Sequence, residues 1–400
     1  EVQVEASETT LHGMPVYFIG GEPISANGSV YSSNARLDAE KYIFFSLAAL
    51  ELPRQINWQP DVVHANDWHT AMSAYGSLAK RWEEGARHVA SVITVHNLPF
   101  MGPDSSSIIE SYGLKLAQTD LPDWARVMPL PLGMWASDAI VAVSPTYGRE
   151  ILAQEYGCGL DEFLRSRGET VSGILNGLDT VSFNPADDSA LGVNFDIDSL
   201  AKRSANKGLL QDRLGLPREP ETPLFAMVTR MDVQKGVDLA FTALKSLKRA
   251  KWQAVILGTG DPKLEDAAMN LQALFPDRIK VETRYDAGLA RQIYAGSDIF
   301  LMPSRYEPCG LSQMIAMRYG CVPIVRAAGG LNDTVKHGET GFVFEKAHHM
   351  SLMAAINSAF KVFADREKWQ TIQRAGMAQD LSWENSAKKY LELYQSIIKP

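Results

Sequence analysis

The sequence predicts an α/β protein of two Rossmann-like, doubly wound parallel-sheet domains, and three observations carry that expectation. Short apolar runs alternate with helical stretches through the second half of the chain, the pattern of parallel strands joined by crossover helices. Four hundred residues exceed what one hydrophobic core usually serves. Polar residues recur just after the apolar runs, where open α/β sheets hold ligands.

In chain order, Val16–Ile19 reads as a strand ended by Gly20-Gly21-Glu22-Pro23, and Arg36–Leu52 as a helix apolar on most of its circumference and therefore buried. Asp61–Ala65 is a strand, with Asn66-Asp67-Trp68-His69-Thr70 opening a helix toward Arg81. Ala90–Val95 is a β-rich strand ending at His96-Asn97, and Ala139–Val143 another, stopped by Ser144-Pro145. A further short strand reaches Leu175 before Asn176-Gly177. Asp67, His96, Ser144 and Asn176 thus all follow strands, and together they suggest one lined crevice.

The proline-punctuated text Leu216–Pro223 places a domain boundary, giving domains 1–217 and 218–380, with 381–400 as a terminal helix. Alternation then restarts with strand Leu224–Val228, helix Gly236–Leu247, strand Gln253–Leu257 and helix Lys263–Phe275. Strand Ile279–Thr283, helix Ala287–Ala295 and strand Ile299–Met302 follow. Pro303 stops that last strand, the Pro-Cys-Gly turn leads into a helix over Leu311–Tyr319, and Val322–Val325 is the next strand. Trp383–Ile398 is a final amphipathic helix with Ser382 as its expected N-cap.

Composition narrows the function classes. An apolar fraction of 46% with 22% charged residues is that of a soluble globular protein. A net charge of −8 argues against nucleic acid as the main partner. No apolar run reaches the roughly 18 residues of a membrane span. Cys158, Cys309 and Cys321 lack metal-ligand spacing, so reduced thiols, a cytoplasm-like compartment and no metal are expected.

Several residues carry chemistry, each beside a plainer reading. Glu307, with Gly310 at a helix start, can face a ligand or merely favour the helix dipole. Arg230 and Lys235 can neutralise a departing pyrophosphate, or stand as a solvated loop pair. Gly258-Thr259-Gly260 is half of a dinucleotide fingerprint; a bare turn admitting close backbone approach is the safer reading. His96 can touch a sugar hydroxyl or take a proton, with His64 and His69 as competitors. Asp67 either orients an acceptor or caps its helix. Cys309 is either a reactive thiol at a helix N-terminus or a small residue that lets the following amides face a ligand.

Taken together, H-A-N-D-W-H-T at Asp67, T-V-H-N-L at His96, I-L-N-G-L-D at Asn176, R-M-D-V-Q-K-G, R-Y-D at Tyr285, P-S-R-Y-E-P-C-G-L and G-G-L-N-D-T-V resemble the glycogen and starch synthases, glycosyltransferase family five. The resemblance runs from about Val16 to the C-terminus. It implies a GT-B fold of two Rossmann-like domains facing a cleft, with the last helix crossing back to the first domain. It also implies transfer of glucose from ADP-glucose, or UDP-glucose, to the 4-hydroxyl at the non-reducing end of an α-1,4-glucan, with retention and without a cofactor. By the same resemblance Arg230 and Lys235 clamp the diphosphate and Tyr285 neighbours the adenine. Glu307 and the amides around Cys309, Gly310 and Leu311 hold the glucose, with Gly258, Gly260 and Asn176 also at the substrates. His96 lies near the reacting centre and Asp67 on the acceptor side.

One departure is visible: the family's opening strand and Lys-Thr-Gly-Gly-Leu loop do not precede Val16, so the N-terminal domain is expected to be incomplete, and the chain to be part of a longer product or of a protein whose missing part is supplied otherwise. A cytoplasmic enzyme, or a plastid one in a plant or alga, is expected. A glucan- or nucleotide-sugar-binding protein without activity and a sugar-nucleotide epimerase are the competing classes.

Overall fold

The structure is a computed structural model that describes residues 3–25, 29–81, 88–247 and 250–398. It divides into two compact units, Glu1–Ile174 with Lys388–Pro400, and Leu175–Ala387.

In the first unit, β1 (Glu5–Leu11) and β2 (Met14–Gly20) form an antiparallel hairpin. The expected strand Val16–Ile19 lies inside β2. Its partner gave no signal in the sequence, because every residue of β1 is exposed and its text is mostly polar. A parallel sheet follows in the order β3 (Val62–Asn66), β4 (Ala90–Val95), β5 (Ala139–Ala142), β6 (Val171–Gly173). β4 and β5 are buried at every position, and apart from Ser91 and Thr94 their text is accordingly apolar. The helix Ala35–Gln55 is not buried all round: Ala39, Ile43, Phe44 and Ala48 are covered, while Arg36 and Glu40 form an exposed ion pair.

The second unit holds six parallel strands, β7 (Leu224–Val228), β8 (Gln253–Leu257), β9 (Ile279–Glu282), β10 (Ile299–Met302), β11 (Val322–Arg326) and β12 (Phe342–Phe344). Their order is β12-β11-β10-β7-β8-β9. From β7 the chain winds outward to β9, returns to β10, and winds outward the other way. β7 and β10 are therefore the topological switch point, the place beside which open α/β sheets hold ligands. Phe225, Trp252, Ile256, Leu301, Ile324 and Trp369 belong to the core that fixes this sheet.

The division between units falls at Ile174/Leu175 and not at residue 217. The helix Arg203–Leu214 is fastened into the second unit by buried cations. Lys207 Nζ lies 2.7 Å from Asp298 Oδ2, which also accepts the Leu224 amide at 2.9 Å. Arg203 donates to the carbonyls of Tyr319, Tyr294 and Ser297. The proline-rich stretch is thus a connection inside the second unit that delivers the chain to β7. The last helix, Trp383–Ile397, begins in the second unit and ends in the first, so the division falls within it and not at residue 381.

Candidate active site

The loops leaving β7 and β10 are stitched together by the backbone. Gly236 ends the β7 loop at φ +66°, and a Cβ there would sit 2.1 Å from the Pro303 carbonyl, so only glycine permits the approach. Arg305 N donates to Gln234 O at 2.7 Å, and Gln234 Nε2 to Tyr306 O at 3.0 Å. The Arg305 guanidinium grips both Asp238 oxygens at 2.7 Å. This zipper brings Lys235 Nζ to 2.7 Å from Glu307 Oε2, an oxygen that also accepts from Ser304 Oγ at 3.0 Å. Glu307 is only 5% exposed. Two residues far apart in sequence thus form one buried ion pair.

Arg230, one turn nearer the strand, is largely exposed and pairs with Asp232 at 3.2 Å. It borders two neighbouring cavities. One, of about 220 Å³, is lined by Thr229, Lys235, Met302, Ser304 and Ser312. The other, of about 480 Å³, is lined by Gly258, Thr259, Arg284, Tyr285, Arg291 and Phe183. Tyr285 is 88% exposed, so its ring is free to cover a planar group. Gly258 and Gly260 lie against the 229–231 backbone: a Cβ would fall 1.8 Å from Thr229 O and 2.4 Å from Met231 O respectively. The half-fingerprint is a close-packed turn between β7 and β8 ends, held also by Glu265, whose Oε1 accepts the Gly260 amide at 2.7 Å.

Beyond Glu307, the turn Pro308–Leu311 reverses at Gly310, φ +74°. Gly330 N reaches Glu307 O and Pro308 O, both at 3.2 Å, and Gln313 Nε2 donates to Gly310 O at 2.9 Å. The Cys309 thiol is buried and hydrogen-bonded to the Asn176 backbone; burial pushes it up to about 12, so it stays protonated. Of the two sequence readings, the small space-filling residue fits. Leu311 precedes the helix Ser312–Arg318 and is half exposed.

In the first unit, Asp67 sits at the β3–helix joint with φ +52°, unusual for a residue with a side chain. Its Oδ1 accepts the His96 amide at 2.7 Å and the Asn97 amide at 3.4 Å, so the carboxylate fixes the end of β4. His96 Nε2 lies 2.9 Å from Asn66 Oδ1. Beside them, Tyr31 OH meets His69 Nε2 at 2.9 Å, and Trp68 and His69 have ring centroids 4.5 Å apart. Ser144 does not join this group: it is buried and caps its helix by accepting the Tyr147 amide. Asn176 belongs to the second unit. Sequence reading passed over Asn66, Ser304, Arg284, Arg291 and Phe183; Ser304 stands three residues before Glu307, and Asn66 stands directly before Asp67. Among the described residues no group of three or more His, Cys, Asp or Glu could hold a metal ion. None of their helices is long and apolar enough to cross a membrane.

Comparison with known proteins matches residues 1–166 to the starch synthase catalytic domain and residues 211–375 to the glycosyl transferases group 1. The glycogen synthase of Streptococcus sanguinis is 38% identical over 99% of this chain and 85% of its own length. The chain belongs to the glycogen and starch synthases. It is therefore a glycosyltransferase, a glucosyltransferase of glucan synthesis. The glycogen synthase of Streptococcus pneumoniae strain CGSP14 is 36% identical over 98% of this chain and 84% of its own. Among solved structures, the catalytic domain of Arabidopsis thaliana starch synthase IV, bound to ADP and acarbose, matches with a TM-score of 0.90 and 34% identity, covering 99% of this chain and 85% of that one. Sucrose-phosphate synthase from Thermosynechococcus elongatus, at 20% identity and a TM-score of 0.62, covering 93% of this chain and 82% of that one, shares the fold. The fold is GT-B, with two Rossmann-like units.

Proposed function

We propose that this synthase transfers glucose from ADP-glucose to the 4-hydroxyl at the non-reducing end of an α-1,4-glucan, with retention at the anomeric carbon. The observation that carries the reading is the buried Lys235–Glu307 pair at the switch point, with Arg230 bordering the cavities beside it. In this reading the larger cavity takes the nucleoside, with Tyr285 over the base. Arg230 and Lys235 meet the diphosphate, whose charge grows as the glycosidic bond breaks. Glu307 Oε2 is engaged by Lys235 and Ser304, which suits a fixed acceptor for sugar hydroxyls better than a free nucleophile. The Gly310 turn presents backbone amides at the start of the Ser312–Arg318 helix to the same sugar. Asp67, whose carboxylate accepts the His96 amide, serves the acceptor side, and His96 the transferred glucose near the reacting centre.

Incubation with radiolabelled ADP-glucose or UDP-glucose and glycogen, alongside calorimetry with each nucleotide, tests this. Label is expected in the glucan, faster from ADP-glucose. Binding without transfer would favour a nucleotide-sugar-binding protein, and faster transfer from UDP-glucose would overturn the donor assignment.

A further inference from the structure

The helix Trp383–Ile397 is fastened at both ends, and each end is tied to a segment that carries a candidate site residue. At its start, Leu178 N donates to Leu381 O at 2.7 Å, and Ser386 Oγ donates to the Leu175 carbonyl. A Cβ on Gly177 would fall 2.3 Å from Trp383 Cα, so the helix start lies directly on the turn that contains Asn176. Toward its end, Tyr390, Leu393, Tyr394 and Ile397 fall on one stripe and pack against Val92, Val141 and Ile174 of the first unit.

That second attachment contains a polar chain. Tyr394 OH lies 2.6 Å from His64 Nδ1, His64 Nε2 lies 2.6 Å from Thr94 Oγ1, and Thr94 Oγ1 lies 3.3 Å from Tyr390 OH. A neutral imidazole offers one donor and one acceptor, and each hydroxyl can complement either, so all the contacts can be satisfied together. His64 stands two residues before Asn66 on β3, and Thr94 stands two before His96 on β4. The hydroxyls of the helix therefore grip the two strands whose ends carry Asp67 and His96. An apolar pair would pack equally well; a directional chain also fixes the helix's rotation and its position along the strands.

We propose that His64, Tyr394 and Tyr390 are positioning residues: their hydrogen-bonded chain locks the end of the C-terminal helix to β3 and β4 and so fixes the strand ends that carry the Asp67–His96 pair for glucosyl transfer. The inference rests on the transfer reaction proposed above, and turnover by the unsubstituted protein tests that reaction separately.

The variants are Tyr394→Phe and His64→Asn, which keep most of the packing, together with Tyr390→Ala/Tyr394→Ala, which removes the grip. Amide hydrogen exchange of residues 388–397, kcat and KM for ADP-glucose, and calorimetric binding of ADP are measured on each. The single variants are expected to raise exchange in 388–397 by about two- to tenfold, the loss of one net hydrogen bond. The Tyr394→Phe/His64→Asn double variant should go little further than His64→Asn alone, because both substitutions break the same His64–Tyr394 bond. The double alanine is expected to lower kcat more than about tenfold while ADP affinity stays within about twofold. Unchanged exchange in the single variants would overturn the proposal. So would unchanged kcat in the double alanine despite raised exchange, or a parallel fall in ADP affinity.

Discussion

Removing Lys235 separates the structural from the chemical role of the site. In Lys235→Ala the Glu307 carboxylate keeps Ser304 Oγ at 3.0 Å but loses a cation at 2.7 Å, with only 6% of its side chain open to water. Breaking a buried pair from one side leaves an uncompensated charge, at about 3–5 kcal/mol. The lysine is itself 17% exposed, so water can enter the space it vacates, and the lower end, about 3 kcal/mol, is expected. Glu307→Gln in the same background removes the stranded charge and should restore about 2 kcal/mol, a coupling within the range seen for contacting residues. Urea unfolding followed by fluorescence, with the midpoint of the second unit's transition compared across the four proteins, measures this. Turnover should be lost in both single variants and should not return in the double. Equal midpoints in all four proteins would refute the buried pair, and recovered turnover in the double would refute the assigned chemistry.

Arg230→Ala should show the reverse balance. Its pair with Asp232 is exposed and worth at most about 1 kcal/mol, whereas a donor that meets developing phosphate charge costs about 10²- to 10³-fold in kcat. Gly258→Ala must push Thr229 away from 1.8 Å, so thermal melting should show about 1–3 kcal/mol of destabilisation and kinetics a raised KM for ADP-glucose. His64 is lowered from 6.5 to about 4 by burial first and by the His96 charge second. The unfolded chain therefore takes up a proton before the folded one, and stability present above pH 6.5 should drain away as pH falls toward 4. Urea titrations of His64→Asn should lack most of that slope. Cys309 and Cys321, both pushed up to about 12 by burial, should resist iodoacetamide at pH 8 in the folded protein while denatured protein reacts at both.

The second unit was legible because parallel strands buried on both faces write continuous apolar runs. β7, β8 and β10 begin and end where the text predicts. The Lys235–Glu307 contact was not legible. It depends on strand order, and no local pattern says that β7 lies beside β10. The domain boundary was misplaced for a related reason: prolines mark a change of direction, while Lys207 and Arg203 decide which core the preceding helix joins. Asp67 could be recognised as special by its neighbours in sequence, yet its work on the His96 amide needs β3 and β4 paired. The same holds for His64, whose partners Thr94 and Tyr394 lie 30 and 330 residues away.

The most direct test of the account is proton NMR of the protein turning over ADP-glucose with a maltooligosaccharide, run beside Arg230→Ala and Glu307→Gln. A growing α-1,4 anomeric signal in step with ADP release is expected, nearly absent in both variants. A β-linked product, glucose released to water, or undiminished synthesis by either variant would contradict it.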